Sequence, residues 1–116
     1  MTPPFVKYIL DMLSDLGDVR SRAMFGGYGI YHDGVMIGLI ASGVFYLKVD
    51  DGNRGTFEAE GSKPFTYRRK DQEKAVSMSY WEVPADVLEN REILCQWGRD
   101  AHAAAVRSRA KTGKRK

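Results

Sequence analysis

The stretch that most limits how this chain can fold is residues 24–49, MFGGYGIYHDGVMIGLIASGVFYLKV. Two pairs of turn-forming residues, Asp33-Gly34 and Ser42-Gly43, separate runs that are rich in Tyr, Ile, Val and Met. Such pairs favour type I′ turns, in which both central residues have positive φ and the flanking runs form antiparallel strands. The stretch therefore predicts a β-meander with two tight hairpins.

Side chains of a strand alternate between the two faces of a sheet, so the hairpin register decides what each face carries. A regular register at the first turn pairs Ile30 with Ile37 and places Gly29 opposite Gly38. Two facing glycines predict a shallow gap in the sheet that an aromatic ring or a helix backbone can approach closely.

The same register predicts a second apolar face, opposite the one that carries Phe45 and Leu47, where an open antiparallel sheet usually has polar residues. Its main apolar residues are Tyr28, Ile30, Ile37, Leu39, Val44 and Tyr46. A helix of the same chain can cover such a face, or the face can bind a partner, since large exposed apolar patches usually mark interfaces. We interpret these six residues as a partner interface and expect a homodimer.

The remaining elements follow from helical and strand periodicity. Helical spacing predicts a first helix over 5–16 and a last helix over 91–109, and a short helix is expected over 53–60. Residues 65–69 and 75–82 alternate like the strands of a second hairpin. The order is helix, a meander of three or four strands, helix, hairpin, helix, which predicts an α+β two-layer sandwich on an antiparallel sheet of about five strands.

Length and cysteine content place the chain in a broad class. A chain of 116 residues can form one domain with a core of its own. A single Cys excludes an internal disulfide, and the chain lacks both a secretory signal pattern and the roughly 20 apolar residues that cross a bilayer. We expect a cytoplasmic protein without membrane contact.

Charge divides the chain into a domain, 1–106, and a basic tail, 107–116. The domain has 12 basic and 15 acidic residues, a net charge of −3, whereas the tail has six basic residues and no acidic one. The six are Arg107, Arg109, Lys111, Lys114, Arg115 and Lys116. They can contact nucleic acid weakly and non-specifically through its phosphates, or form a solvated end.

Few residues suit catalysis or metal binding. Cys95 and His102 lie about 10 Å apart along the predicted last helix, too far for a nucleophile and its base. The two histidines, His32 and His102, are not at ligand spacing, and one Cys cannot build a structural zinc site. Asn53 and Arg54 can dock an anion or can simply start a helix. We therefore predict no catalytic residue, no metal site and no cofactor.

Two further groups allow a binding role. The segment Gly26-Gly27-Tyr28-Gly29 could cradle a phosphate, but it leads into a strand where a nucleotide loop leads into a helix. The second hairpin has a basic tip near three aromatic residues, which suits nucleic acid, although strand aromatics are more often packing partners. The residues are Arg68, Arg69, Lys70, Lys74, Tyr67, Tyr80 and Trp81.

Three segments resemble the N-terminal domain of the TfoX (Sxy) competence-regulator family. They are FGGYG at 25–29, LKVDD at 47–51 with the following Asn53-Arg54, and MSYWEVP at 78–84. The resemblance covers about residues 6–105 and implies an α+β fold similar to secretion chaperones, with no established catalysis.

For function, the resemblance implies a link to transcriptional regulation of competence or DNA uptake, and partners in the transcription machinery. We expect a non-catalytic regulatory or protein-interaction domain. The alternative is a nucleic-acid-binding accessory module that uses the basic tail.

Overall fold

The computed structural model describes residues 3–24, 26–67 and 76–114, leaving out the side chains of 66–67, 76–78 and 111–114. The helices are α1 (Pro4–Met12), α2 (Arg54–Ala59), α3 (Ala85–Leu88) and α4 (Arg91–Lys114), with a 3₁₀ turn at Ser14–Leu16. The strands are β1 (Val19–Met24), β2 (Gly27–His32), β3 (Val35–Ala41), β4 (Val44–Lys48), β5 (Pro64–Tyr67) and β6 (Val76–Glu82). The α+β class predicted from the sequence is confirmed.

The described strands form one antiparallel sheet in the order β1-β2-β3-β4-β6-β5. It has six strands where about five were expected, because the extended stretch before the meander pairs with β2 along its whole length. The chain leaves the sheet after β4 to form α2, and returns through β5 at the far edge before β6 fills the position beside β4.

Both predicted hairpin turns are confirmed. Asp33 and Gly34 have φ of 51° and 79°, and Ser42 and Gly43 have φ of 51° and 76°. These positive values are those that a type I′ turn requires at its two central residues. The local turn chemistry thus fixes where β2, β3 and β4 begin and end.

The predicted register of the first hairpin is wrong beyond its second pair. His32 pairs with Val35 and Tyr31 with Met36 as expected, but Ile30 then pairs with Gly38, so Ile37 is an extra residue. This is a β-bulge, which places two residues of one strand against one of its partner. Consequently Gly29 lies opposite Leu39, not opposite Gly38.

The bulge places Gly29 and Gly38 on opposite faces of the sheet. A Cβ at Gly38 would lie 3.0 Å from the Phe45 ring on the helix-covered face. A Cβ at Gly29 would instead meet Met24 and Tyr31 on the other face. Each glycine does make room for a side chain, as the sequence suggested, but the two gaps are separate.

The hydrophobic core lies between the sheet and the helices on one side of it. Phe45, Ile37 and Leu47 are fully buried there under α4, which packs across β3 and β4. Each such side chain contributes about 1.5–3 kcal/mol through burial. Phe57 of α2 adds a ring whose centroid is 4.5 Å from that of Trp97, so the short helix α2 is tied to this core.

Helix boundaries differ modestly from expectation. α1 ends at Met12 and continues only as a 3₁₀ turn, and α4 runs to Lys114 where an end at 109 was predicted. In the first turns of α4, Ile93 is 43% exposed. Leu94 and Trp97 take the core positions of these turns.

Candidate functional site

The face of the sheet opposite the core has no described helix packed on it. We call it the open face, and its apolar side chains are Met24, Tyr31, Met36, Leu39, Val44, Tyr46, Phe65 and Tyr80. Strand pairing assigns them to this side, since Tyr31 pairs with Met36 and Leu39 pairs with Tyr46. All of these side chains are partly exposed. The open face is therefore a broad apolar surface on one side of the molecule.

Two clusters organise the open face. Over Gly29, a Cβ would lie 2.9 Å from Met24 Sδ, 3.0 Å from Tyr31 Cε1 and 3.5 Å from Met36 Cε, so these three side chains fill the gap left by the glycine. Methionine adapts readily to irregular surfaces, which suits a contact region. At the other end, the rings of Tyr46 and Phe65 meet edge to face at 4.8 Å.

Three of the six residues predicted for the partner interface lie on the wrong face. Ile30 and Ile37 are fully buried in the core, and Tyr28 packs against the core side. The bulge is the reason, because it moves Ile37 to the helix-covered side together with Gly38. Leu39, Val44 and Tyr46 do lie on the open face, as expected. Whether this face binds a partner stays a prediction.

One row of side chains crosses the open face from the edge strand β1 to β6, the strand next to the other edge. Successive strand pairs place Arg22 beside Gly29, Gly29 beside Leu39, Leu39 beside Tyr46 and Tyr46 beside Glu82. Leu39 is at the middle of this row, with an exposed cation at one end and an exposed anion at the other. This order could not be predicted from the sequence, because it depends on the bulge and on the insertion of β6 beside β4.

Partial burial shifts the pKa values of Tyr46, Tyr80 and Lys48 on the β4–β6 part of the open face. Burial, assisted by the neighbouring Glu82 carboxylate, raises the pKa of Tyr46. Burial and the Tyr31 phenol raise the pKa of Tyr80. Both phenols are therefore neutral donors near pH 7. Lys48, whose pKa is lowered by burial, lies with Nζ 5.2 Å from the Tyr80 ring centroid and donates to Ser79 Oγ at 2.6 Å.

The basic tail predicted to contact nucleic acid is continuous with α4 as far as Lys114. Its first cation is exposed but is paired within the same chain: Arg107 Nε donates to Asp50 Oδ2 at 2.6 Å and Nη2 donates to Oδ1 at 2.8 Å. Arg109 is exposed. Arg115, Lys116 and the side chains of Lys111 and Lys114 lie outside the described part, as does the predicted basic hairpin tip, 68–74.

The Asp50 carboxylate accepts three hydrogen bonds, two from Arg107 and one from the backbone N–H of Gly52 at 2.8 Å. The hydrogen bonds from Arg107 are the main reason that the pKa of Asp50 falls to about 2. The pair fastens the turn after β4 to the last part of α4. Sequence distance concealed this contact, since nothing local to Asp50 indicates its partner.

Asn53 and Arg54, considered as an anion site, are occupied by internal contacts. Asn53 is buried, accepts from the backbone N–H of Asp50 at 2.8 Å and donates to the Lys48 carbonyl at 3.0 Å. Arg54 pairs with Asp51 at 2.7 Å. Asn53 makes no side-chain capping bond to α2, so its role is to hold the β4–α2 turn together.

The other residues that the sequence offered as functional candidates, Cys95 and the glycines at 26 and 27, make contacts that support the fold. Cys95 is buried, its Sγ donates to the Met12 carbonyl at 3.2 Å, and burial raises the pKa of the thiol. Gly26 forms the turn that enters β2, and a Cβ at Gly27 would collide with the Ile40 carbonyl. A pocket of about 290 Å³ is lined by Glu60, Gly61, Ser62, Lys63, Glu82 and Pro84.

The fold brings together two histidines that the sequence places far apart. The rings of His32, at the end of β2, and His102, on α4, have centroids 4.7 Å apart and meet edge to face. Asp33 joins them, with Oδ2 3.6 Å from His32 Nε2. We call these three residues the histidine cluster. The two histidines are not at ligand spacing in the sequence, and the sequence does not reveal which side of α4 meets the hairpin. Their contact could therefore not be predicted.

Among the described residues, no helix is long and apolar enough to cross a membrane. A sequence model of the TfoX N-terminal domain matches residues 11–105. The chain therefore belongs to the TfoX N-terminal domain family, which confirms the resemblance seen in the sequence. A comparison with curated proteins found no significant match.

Proposed function

We propose that this chain is a non-catalytic regulatory domain that acts through protein–protein contact, with the open face as a homodimer interface. In the terms of its family, the role would be in the transcriptional control of competence or DNA uptake. The observation that carries the proposal is the open face itself, an apolar sheet surface that no described helix covers. Such surfaces on soluble domains usually mark interaction sites.

The occupant that fits this face best is a second copy of the same chain. Consider a two-fold axis that passes over Leu39 parallel to the strands. It would place Leu39 of one copy against Leu39 of the other, and it would reverse the order of the row, so that Arg22 of each copy faces Glu82 of the other. The same operation would set Tyr46 over Gly29. An isologous interface needs this kind of self-complementarity.

Sheet packing geometry is compatible with that arrangement. Face-to-face sheets pack about 10 Å apart with their strands aligned to within about 30°, and side chains of the two inner faces interdigitate. Neighbouring strands are about 4.8 Å apart, so Arg22 and Glu82 lie roughly 19 Å from each other within one sheet. Arg22 is on the edge strand β1 and Glu82 is on β6, one strand in from the other edge, and both are exposed. Exposed charges at such positions guide orientation while apolar side chains supply affinity.

Charge reversal tests this geometry. Arg22→Glu and Glu82→Arg each place like charges together twice in the dimer, whereas the double variant restores opposite pairs. Exposed pairs contribute roughly 0.2–1 kcal/mol each, so we expect each single variant to weaken association about tenfold and the double variant to recover most of the loss. Sedimentation velocity over a concentration series measures all four proteins.

The matched control is Glu58→Arg, which makes the same charge change at an exposed position of α2 on the other side of the sheet. It should leave association unchanged. A wild-type chain that stays monomeric at about 100 µM would overturn the dimer, since stable interfaces of standard size bind more tightly than this. Single and double variants that weaken association equally would overturn the proposed axis.

The alternative function, a nucleic-acid accessory module, is supported by the basic residues of the α4 end. The attraction of this end for phosphates is weakened because Asp50 neutralises the charge of Arg107. Arg109 and the cations that follow it would then hold the phosphates.

A further inference from the structure

The histidine cluster, which has no part in the proposed function, is held by two separate elements. His32 and Asp33 belong to the β2–β3 hairpin, and His102 belongs to α4. His32 is only 9% exposed, His102 is half-buried and Asp33 is exposed. Each residue offers one atom that can bind a metal, a ring nitrogen of each histidine and a carboxylate oxygen of Asp33. These three atoms all lie within 4.8 Å of one another. Two imidazoles and a carboxylate thus converge on one small volume that opens to solvent beside Asp33.

A hydrogen bond orients the His32 ring. Its Nδ1 lies 2.9 Å from the backbone carbonyl oxygen of Asp18. A carbonyl only accepts, so Nδ1 carries the hydrogen, and in the neutral ring the lone pair is on Nε2. That nitrogen lies nearest to Asp33. An imidazole that donates one N–H to a backbone carbonyl and presents its other nitrogen is the arrangement usual for metal-ligating histidines.

His102 presents a second unsatisfied nitrogen. Its Nε2 is enclosed and has no hydrogen-bond partner among the described residues. Leaving an enclosed polar atom without a partner is unfavourable, and most such atoms in native proteins are paired. The neighbouring His32 ring and the Asp33 carboxylate offer further lone pairs. A cation satisfies all three groups at once.

We propose that His32, Asp33 and His102 bind one divalent transition-metal ion, with Zn²⁺ as the ion that this donor set matches best. Two imidazole nitrogens and one carboxylate oxygen are a common three-ligand set for zinc and leave a fourth position for water or an external ligand. Mg²⁺ and Ca²⁺ prefer all-oxygen sites, so they fit poorly. Bound metal would fasten the hairpin tip to α4.

The separations require only a small adjustment. Tetrahedral zinc with bonds of about 2.0–2.1 Å places its ligand atoms roughly 3.4 Å apart, so separations of up to 4.8 Å must shorten by at most about 1.4 Å. The Asp33 side chain is 63% exposed and can rotate toward the rings. His32 and His102 already touch, so the ring pair changes little.

The test is Zn²⁺ titration of the full chain by isothermal titration calorimetry, without an affinity tag, since added histidines bind zinc themselves. Since His32 and His102 are its only histidines, the imidazole proton signals in NMR report the cluster alone. We expect one equivalent of Zn²⁺ to bind at micromolar or lower concentration, to shift both imidazoles together and to raise Tm. Mg²⁺ should do none of these.

Variants identify the ligands. Asp33 is exposed, and Asn also adopts positive φ readily. We therefore expect the Asp33→Asn variant to keep the turn and to fold. We expect it to weaken Zn²⁺ binding at least tenfold and His102→Gln to weaken it about a hundredfold, with circular dichroism confirming the fold. Cys95→Ser should change nothing. No saturable binding up to about 100 µM Zn²⁺, or binding that survives His102→Gln or disappears in Cys95→Ser, would overturn the proposal.

Discussion

The position of Ile37 on the core side of the sheet makes a quantitative prediction that separates the observed bulge from a regular hairpin. Ile37 is fully buried, so Ile37→Ala removes its buried methyl and methylene groups and leaves a cavity under α4. Such changes cost about 2–5 kcal/mol. Leu39 is on the open face and partly exposed, so in the monomer Leu39→Ala should cost about 1 kcal/mol or less.

Urea denaturation followed by tryptophan fluorescence measures both costs, because Trp81 and Trp97 lie in or against the core. At roughly 4 °C per kcal/mol, Ile37→Ala should also lower Tm by about 8–20 °C. Measurements at about 1 µM keep association from adding to the stability of the wild type. In a regular register Ile37 and Leu39 share one face, so equal losses for the two variants would refute the bulge.

Two other predictions concern charged groups. Because the pKa of Asp50 is lowered from 3.8 to about 2 in the fold, its carboxylate stabilises the protein above about pH 4, and that contribution disappears as pH falls toward 2. Asp50→Asn should therefore lower the free energy of unfolding at pH 7 by about 1 kcal/mol, a value reduced for solvent exposure, and the difference should vanish near pH 2 in urea titrations. If the α4 end binds nucleic acid, deleting 109–116 should abolish low-salt binding to duplex DNA in a fluorescence anisotropy assay, whereas Arg107→Gln should leave most of it. Binding that is unchanged by the deletion would remove the nucleic-acid alternative.

Features decided by local chemistry could be read from the sequence. Asp33-Gly34 and Ser42-Gly43 determine their turns through residues that tolerate positive φ, and these residues adjoin each other in the chain. Helical spacing identified α1 and α4, because the periodicity of apolar residues is also a local property of the chain. The class of fold follows from the order of such elements, so it was predictable.

Features decided by packing could not be read in this way. The bulge at Ile37 has no local marker, and one extra residue was enough to reassign half of the expected interface. The contact of His32 with His102 depends on the rotation of α4 about its own axis. The bond between Asp50 and Arg107 depends on how far that helix extends. Each is a choice among arrangements that the local pattern allows equally.

The burial of Cys95 gives the chain a natural reporter of its own internal motion. Its thiol donates to the last residue of α1 from within α4, so a reagent reaches the sulfur only when those two helices part. The rate of alkylation under native conditions, compared with that of an unfolded control, therefore measures the free energy of a single opening event. Because the chain has one cysteine, the alkylation rate reports the opening of the contact between α1 and α4 alone. The rate can be compared between conditions in which the open face binds a second copy and conditions in which it does not.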